Sequence, residues 1–341
     1  NTVILKPSEM TPHVSAIMIE VIRQTFPENE VAVFEGATPT STALLALPFD
    51  HIFFTGSPAV GKIVMAAAAK HLTSITLELG GKSPVIIDES ANLTTAAETL
   101  MWGKLTNCGQ TCVAPDHVYV HESVKDKFVA ECKRVIGERY GQNAQAQQAS
   151  PHFARVINQR HTQRIAGLLD DARTRGARFL QGGEVDVASS FVAPTLLDNI
   201  PADASIMSEE IFGPVLPIIA WRDLDQVIRE INAQPKPLAL YIWSRNKART
   251  RRIMAETSSG GVGINHCVLH FAHGNLPFGG VNNSGIGSAH GIHGFKAFSH
   301  ERAVLKSGPI MVAKLFFPPY DGFKPKLIRA VVDMLKLPKL F

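Results

Sequence analysis

Between residue 1 and about residue 90, short apolar runs alternate with segments whose apolar residues recur at helical spacing, and few architectures accept that order. Strands joined through crossover helices settle side by side as a parallel sheet, because a parallel neighbour cannot be reached by a tight turn. TVIL (2–5) reads as a strand, and Val14, Ile17, Met18, Val21 and Ile22 fall on one helical stripe. VAVF (31–34), HIFF (51–54) and SITLEL (74–79) read as further strands. Ser57 as N-cap and Pro58 at the first helical position announce a helix through VGKIVMAAAAKHL. The expected layout is doubly wound.

After PVIID (84–88) a second α/β set follows: helix 93–105, strand 117–120, helices 123–139 and 152–176, strand 214–220, helix 223–233, strand 238–243 and helix 246–256. Without a Gly/Ser or Pro linker between the sets, a tight interface is expected. From 257 onward dense glycine reads as turns and crossing segments rather than a helix or sheet of its own. The tail from Lys324 to Phe341 places Leu327, Ile328, Val331, Val332 and Leu335 at helical spacing among basic residues. It reads as a terminal helix docked on protein, with a membrane-surface helix as the other reading.

At 341 residues the chain exceeds the usual single core, and 45% hydrophobic with 19% charged residues suits a folded protein. No run approaches the roughly 18 apolar residues that cross a bilayer, and NTVILKPSE lacks the regions of a signal peptide, so a cytoplasmic protein is expected. A net charge of +4 without an arginine-rich stripe gives nucleic-acid binding little support. The four cysteines, 108, 112, 132 and 267, are too scattered for a disulfide framework. Cys108 and Cys112 could be half of a metal site, but no second CxxC or HxxxH accompanies them, so no metal is expected.

Several short segments could carry chemistry, each with an ordinary alternative. In TGSPAVG (55–61) Gly56 permits a close turn, and the helix starting at Pro58 offers free N–H groups to a pyrophosphate; an ordinary strand-to-helix turn uses the same letters. Lys6 and Glu9 close the first strand at its carboxyl end, where open α/β sheets bind ligands, and could hold ribose hydroxyls or simply cap the next helix. In GQTC (109–112), Gly109 and the later Pro115 interrupt regular structure and should expose the Cys112 sulfur; a small buried hydrophobe is the alternative, and it suits Cys132 within helix 123–139. In LELGGKSP (77–84), Glu78 sits in an apolar strand, where burial would raise its pKa towards that of a general base; a salt-bridged strand-end glutamate is the other reading.

Taken in order, KPSE, FTGSPAVG, LELGGKSP, GQTC, EEIFGPVLP (209–217) and LPFGGVNNSGIG (276–287) resemble the aldehyde dehydrogenase superfamily over nearly the whole chain. NCGQTCVAPD and HGIHGFKAFSH (290–300) resemble the branch of fatty-aldehyde and coniferyl-aldehyde dehydrogenases. The resemblance implies an α/β fold with a partial Rossmann-like cofactor domain and a second α/β catalytic domain. Its expected divisions are 1–82 for dinucleotide binding, 83–265 for catalysis, and 266–341 for a return segment and oligomerisation tail.

By the same resemblance Cys112 is the nucleophile and Glu78 the general base. Lys6 and Glu9 hold the adenosine ribose, Gly56, Ser57 and Gly61 meet the pyrophosphate, and Glu210 and Phe212 position the nicotinamide ribose and ring. The implied reaction is NAD- or NADP-dependent oxidation of an apolar aldehyde, aromatic or medium- to long-chain, through a cysteine thiohemiacetal and thioester. A homodimer is implied. The chain opens on Asn1, within the first strand, and lacks the family's aromatic-Asn-Pro segment, which supplies a second oxyanion donor. An incomplete amino-terminal part and impaired activity are therefore expected, with a binding or subunit-interaction protein as the alternative function.

Overall fold

The computed structural model describes residues 1–336, the side chain of Lys336 excepted. These residues divide into two compact units, 1–298 and 299 onward. In the first unit β1 (Val3–Leu5) leads through α1 (Pro12–Thr25) to β2 (Val31–Val33), its parallel neighbour. A short helix absent from the sequence reading, α2 (Thr38–Leu45), precedes β3 (His51–Gly56). Then come α3 (Pro58–Ala69) and β4 (Ser74–Leu79), which lies parallel to β3. Ser57 caps α3 as expected, its hydroxyl accepting the Val60 N–H at 3.4 Å.

The larger sheet is built from β5 (Pro84–Ile87) onward. It is followed by α4 (Leu93–Leu105), β6 (His117–His121), α5 (Glu122–Tyr140), α6 (Ala144–Ala149) and α7 (Gln159–Thr174). The sequence placed one helix over 152–176; it starts instead at Gln159. Asn158 accepts the His161 N–H at 2.9 Å and so caps it, while Arg155 is turned back onto the carbonyls of Gln148 and Phe153. Short strands unseen in the sequence follow: β7 (Arg178–Gln181), β8 (Val185–Asp186), β9 (Phe191–Val192) and β10 (Thr195–Asp198). After α8 (Ser205–Ser208) come β11 (Val215–Trp221), α9 (Leu224–Ala233), β12 (Ala239–Trp243), α10 (Lys247–Glu256) and β13 (Gly261–Ile264).

These strands form a seven-stranded sheet in the order β13-β12-β5-β6-β11-β10-β7, parallel except for β7. Both faces are covered, which is why its strands read as nearly continuous apolar runs. Val85, Ile87, Val118, Val120, Tyr241 and Trp243 pack with α4, α5 and α7, while Ile86, Tyr119, Leu240 and Ile242 pack with α9 and α10. The glycine-rich stretch after 257 is therefore not sheet-free. β13 adds an edge strand, and its Gly263 is required, since a Cβ there would stand 2.6 Å from the His266 carbonyl oxygen.

Farther on, β14 (Gly285–Ile286) returns to pair antiparallel with β4, and α11 (Gly291–Ala297) follows. The order β14-β4-β3 thus places Glu78 opposite Gly285 on one side and Thr55 on the other. In the second unit α12 (Lys324–Lys336) gives the expected tail helix; positions 337–341 of that expectation lie outside the described residues. No described helix is long and apolar enough to cross a membrane.

Candidate active site

Cys112 lies in the loop between α4 and β6. Asn107, Cys108 and Gly109 all adopt positive φ (50°, 56° and 75°), which turns the chain sharply after the helix. At Gly109 the absence of a side chain is required, because a Cβ would stand 2.3 Å from the Gly213 carbonyl oxygen. Gln110 then locks the loop: its amide donates at 3.0 Å to the carbonyls of Asn107 and Arg155, and its side-chain oxygen accepts the Ile157 N–H at 2.9 Å. Beyond Cys112, the Tyr241 hydroxyl donates to the Val113 carbonyl at 2.6 Å and accepts the Val268 N–H at 3.2 Å.

Within that frame Cys112 is half-buried, whereas Cys108, Cys132 and Cys267 are buried. Burial pushes the Cys112 thiol up to about 11, helped by the charges of Glu210 and Glu78 and opposed by the N–H groups of Cys112 and Val113. The sequence predicts an exposed sulfur. The loop delivers a half-buried thiol whose two acidic neighbours favour its protonated form.

Glu78 is 4% exposed and its carboxyl oxygens have no hydrogen-bond partner among the described residues. Burial alone raises its pKa to about 7. No salt bridge holds it among the described residues, so the strand-end ion-pair reading does not describe it there. Two residues on, Gly80 makes room for a second carboxylate: a Cβ there would stand 2.1 Å from Glu210 Oε2. Burial lifts Glu210 to about 7 as well, against the pull of the Gly81 N–H. The structure thus gathers Cys112, Glu78 and Glu210 into one site, and next to Glu210 the half-exposed Phe212 is held at a positive φ of 45°.

On the side of β1 and β2, Lys6 Nζ donates to Glu9 Oε2 at 3.4 Å and to the carbonyls of Pro7 and Gly36 at 2.8 Å. Glu9 is held low by a backbone hydrogen bond and by Lys6, so it is a carboxylate near neutral pH. A paired donor and acceptor at the carboxyl ends of two parallel strands fits a ribose diol. The α3 amino terminus, capped at Val60 by Ser57, presents the positive end of its dipole, which fits a pyrophosphate. Gly61 has a further reason to be glycine: a Cβ there would stand 2.7 Å from Leu79 Cδ2, so it lets the helix pack on β4.

Sequence reasoning missed Lys82, Asp116 and Arg164. Lys82 and Asp116 both fall inside quoted motifs, yet their pairing, at 2.5 Å, joins loops 34 residues apart. Lys104 was missed too. It is 2% exposed, and burial pushes its pKa down to about 8.

Residues 1–304 match the model of the aldehyde dehydrogenase family. The chain is similar to the 4,4'-diaponeurosporen-aldehyde dehydrogenase of Staphylococcus aureus, 45% identical over 330 residues, covering 97% of this chain and 70% of that one. It is likewise similar to the dimeric NADP-preferring aldehyde dehydrogenase of Rattus norvegicus, 46% identical over 328 residues, covering 96% of this chain and 71% of that one. Among solved structures, the substrate-bound state of Staphylococcus aureus AldH superposes with a TM-score of 0.91 at 45% identity, covering 97% of this chain and 71% of that one.

Proposed function

The chain belongs to the aldehyde dehydrogenase family, and from that premise we propose that it oxidises an apolar aldehyde, aromatic or medium- to long-chain, to the carboxylic acid. NAD or NADP is the oxidant, Cys112 the nucleophile and Glu78 the base. The observation that carries this reading is Glu78 itself, a buried carboxyl without a hydrogen-bond partner among the described residues and with a pKa near 7, beside a half-buried thiol. A structural carboxylate would be paired; an unpaired one poised near neutrality suits proton transfer.

The thiol value sets the first step. Releasing the proton of a thiol near 11 to solvent at pH 7 is uphill by roughly 5 kcal/mol, within reach of an enzymatic barrier, and leaves Glu78 free for the later step. The Cys112 thiolate adds to the aldehyde carbon and the carbonyl oxygen becomes the alkoxide of a thiohemiacetal. Bound NAD or NADP supplies the hydride acceptor for the oxidation that leaves a thioester on Cys112. Glu78 then takes a proton from water as its oxygen adds to the thioester carbonyl; collapse expels the Cys112 thiolate, which is reprotonated, and the acid leaves.

For the dinucleotide, Lys6 and Glu9 would hold the adenosine ribose, Gly56, Ser57 and Gly61 the pyrophosphate turn, and Glu210 and Phe212 the nicotinamide end. On this reading residues 1–82 are the dinucleotide-binding division, 83–265 the catalytic division, which also lends Glu210 and Phe212 to the cofactor, and 266–341 the return segment and oligomerisation tail. The anionic Glu9 opposes a 2′-phosphate while Lys6 relieves it, so both cofactors are kept. The rat relative is named dimeric and NADP-preferring and the Staphylococcus relative is named for 4,4'-diaponeurosporen-aldehyde, which supports NADP use, a homodimer and an aldehyde substrate here. The test is Glu78→Gln: a rapid burst of reduced cofactor followed by a slow phase is expected, since deacylation suffers more than acylation. Loss of burst and slow phase together would refute the assigned role.

A further inference from the structure

The backbone around Glu210 and Phe212 belongs to no helix or strand beyond the single turn of α8, yet charged side chains from separate parts of the fold hold it. Lys82, just past the Gly80-Gly81 pair, donates from Nζ to the carbonyls of Ile206 and Glu209, both at 2.8 Å. Asp116, which pairs with Lys82, accepts the Ile211 N–H through Oδ1 at 2.9 Å. Arg164, on α7, donates to the Glu210 carbonyl at 3.2 Å and to the Ile211 carbonyl. His117 Nδ1 lies 3.3 Å from Asp116 Oδ2 and completes the cluster.

Consecutive peptide groups from Glu209 to Ile211 are thus held by charge-assisted hydrogen bonds, the strong class. A loop that only had to be buried could be packed by apolar residues at no loss of stability, whereas this one is held by a lysine and an aspartate that are 9% and 3% exposed. What the grip fixes is the departure point of two side chains. Glu210 is directed onto Gly80, and Phe212, forced to positive φ, is turned outward.

We propose that Lys82, Asp116 and Arg164 are positioning residues for the nicotinamide half of the cofactor: they set the backbone from which Glu210 and Phe212 reach it and do not touch it themselves. The inference rests on the assignment of Glu210 and Phe212 given above. It separates the two ends of the dinucleotide, because among the described residues the adenosine end, at Lys6, Glu9 and Ser57, shares no hydrogen bond with this cluster.

Calorimetric titration of the whole chain with NAD, NADP and ADP tests it, with Arg164→Gln, Asp116→Asn and Glu210→Gln alongside. Arg164 is only half-buried, so its variant keeps the test open should Asp116→Asn fail to fold. Losing one charge-assisted bond predicts dinucleotide binding weakened about tenfold or more, with ADP affinity within about twofold of the parent. Arg164→Lys should recover part of the loss, as it keeps the charge and a donor. If Glu210→Gln weakens dinucleotide binding but Arg164→Gln lowers only the melting temperature, the three residues are merely structural and the inference fails alone. If Glu210→Gln has no effect, or neither dinucleotide binds the parent, the functional assignment fails and the inference with it.

Discussion

Replacing Glu78 by Gln should stabilise the protein, and by an amount that depends on pH. The carboxyl is 4% exposed and burial carries its pKa from 4.5 to about 7. For an acid whose folded pKa is raised, stability is fully present below the unfolded value and is lost as pH climbs through the folded one. The gap between the two values, at about 1.4 kcal/mol per pH unit, makes the buried carboxylate cost roughly 3 kcal/mol at pH 8.5. At pH 5, where most of the folded protein carries the neutral acid, the cost is under about 1 kcal/mol. Gln is uncharged throughout and meets the same unpartnered surroundings at both pH values, so the difference between the two conditions, about 2.5 kcal/mol, isolates the charge. With unfolding entropy near 2 cal/mol/K per residue over 341 residues, this corresponds to a melting-temperature gain some 3–4 °C larger at pH 8.5 than at pH 5. Thermal unfolding followed by circular dichroism at the two pH values measures it. Equal shifts at both would refute the claim that Glu78 is an unpaired carboxyl titrating near 7, and with it the argument for its role as base.

Brief iodoacetamide treatment followed by peptide mass spectrometry should modify Cys112 ahead of Cys108, Cys132 and Cys267, since only Cys112 is half-exposed. Its rate should climb about tenfold per pH unit from 7 to 10, because the thiol titrates near 11; a plateau by pH 8 would contradict that value. Gly109→Ala should cost at least about 2 kcal/mol in urea unfolding, because φ is +75° and the new Cβ would meet the Gly213 carbonyl. A cost near zero would show that the nucleophile loop is not held as described.

Strand β4 and helix α4 match their expected bounds, 74–79 and 93–105, because an apolar run or an Asn cap marks each end locally. The miss at 152–176 came from Asn158, whose capping role shows only once Arg155 and Gln110 are seen to tie the preceding turn elsewhere. Strand β13 looked like a turn because Gly261 and Gly263 have no strand propensity; its place is set by β12 alongside and by the lack of room for a Cβ at Gly263. In the site, Glu78 and Cys112 were legible from motif order, and the structure brings them to one place. What motif order could not reveal is the protonation balance, since burial and two nearby carboxylates hold the Cys112 thiol neutral. Nor could it reveal the hold of Lys82 on Ile206, which spans 124 residues of chain.

The central claim, that Cys112 carries the acyl group and Glu78 releases it, is tested most directly by trapping that group. Glu78→Gln mixed with a medium-chain aldehyde and NAD or NADP, quenched in acid within the burst and digested, should yield the Cys112 peptide heavier by the acyl residue, one acyl group per reduced cofactor formed. Reduced cofactor formed with Cys112 unmodified, or with the acyl group on another residue, would contradict the account.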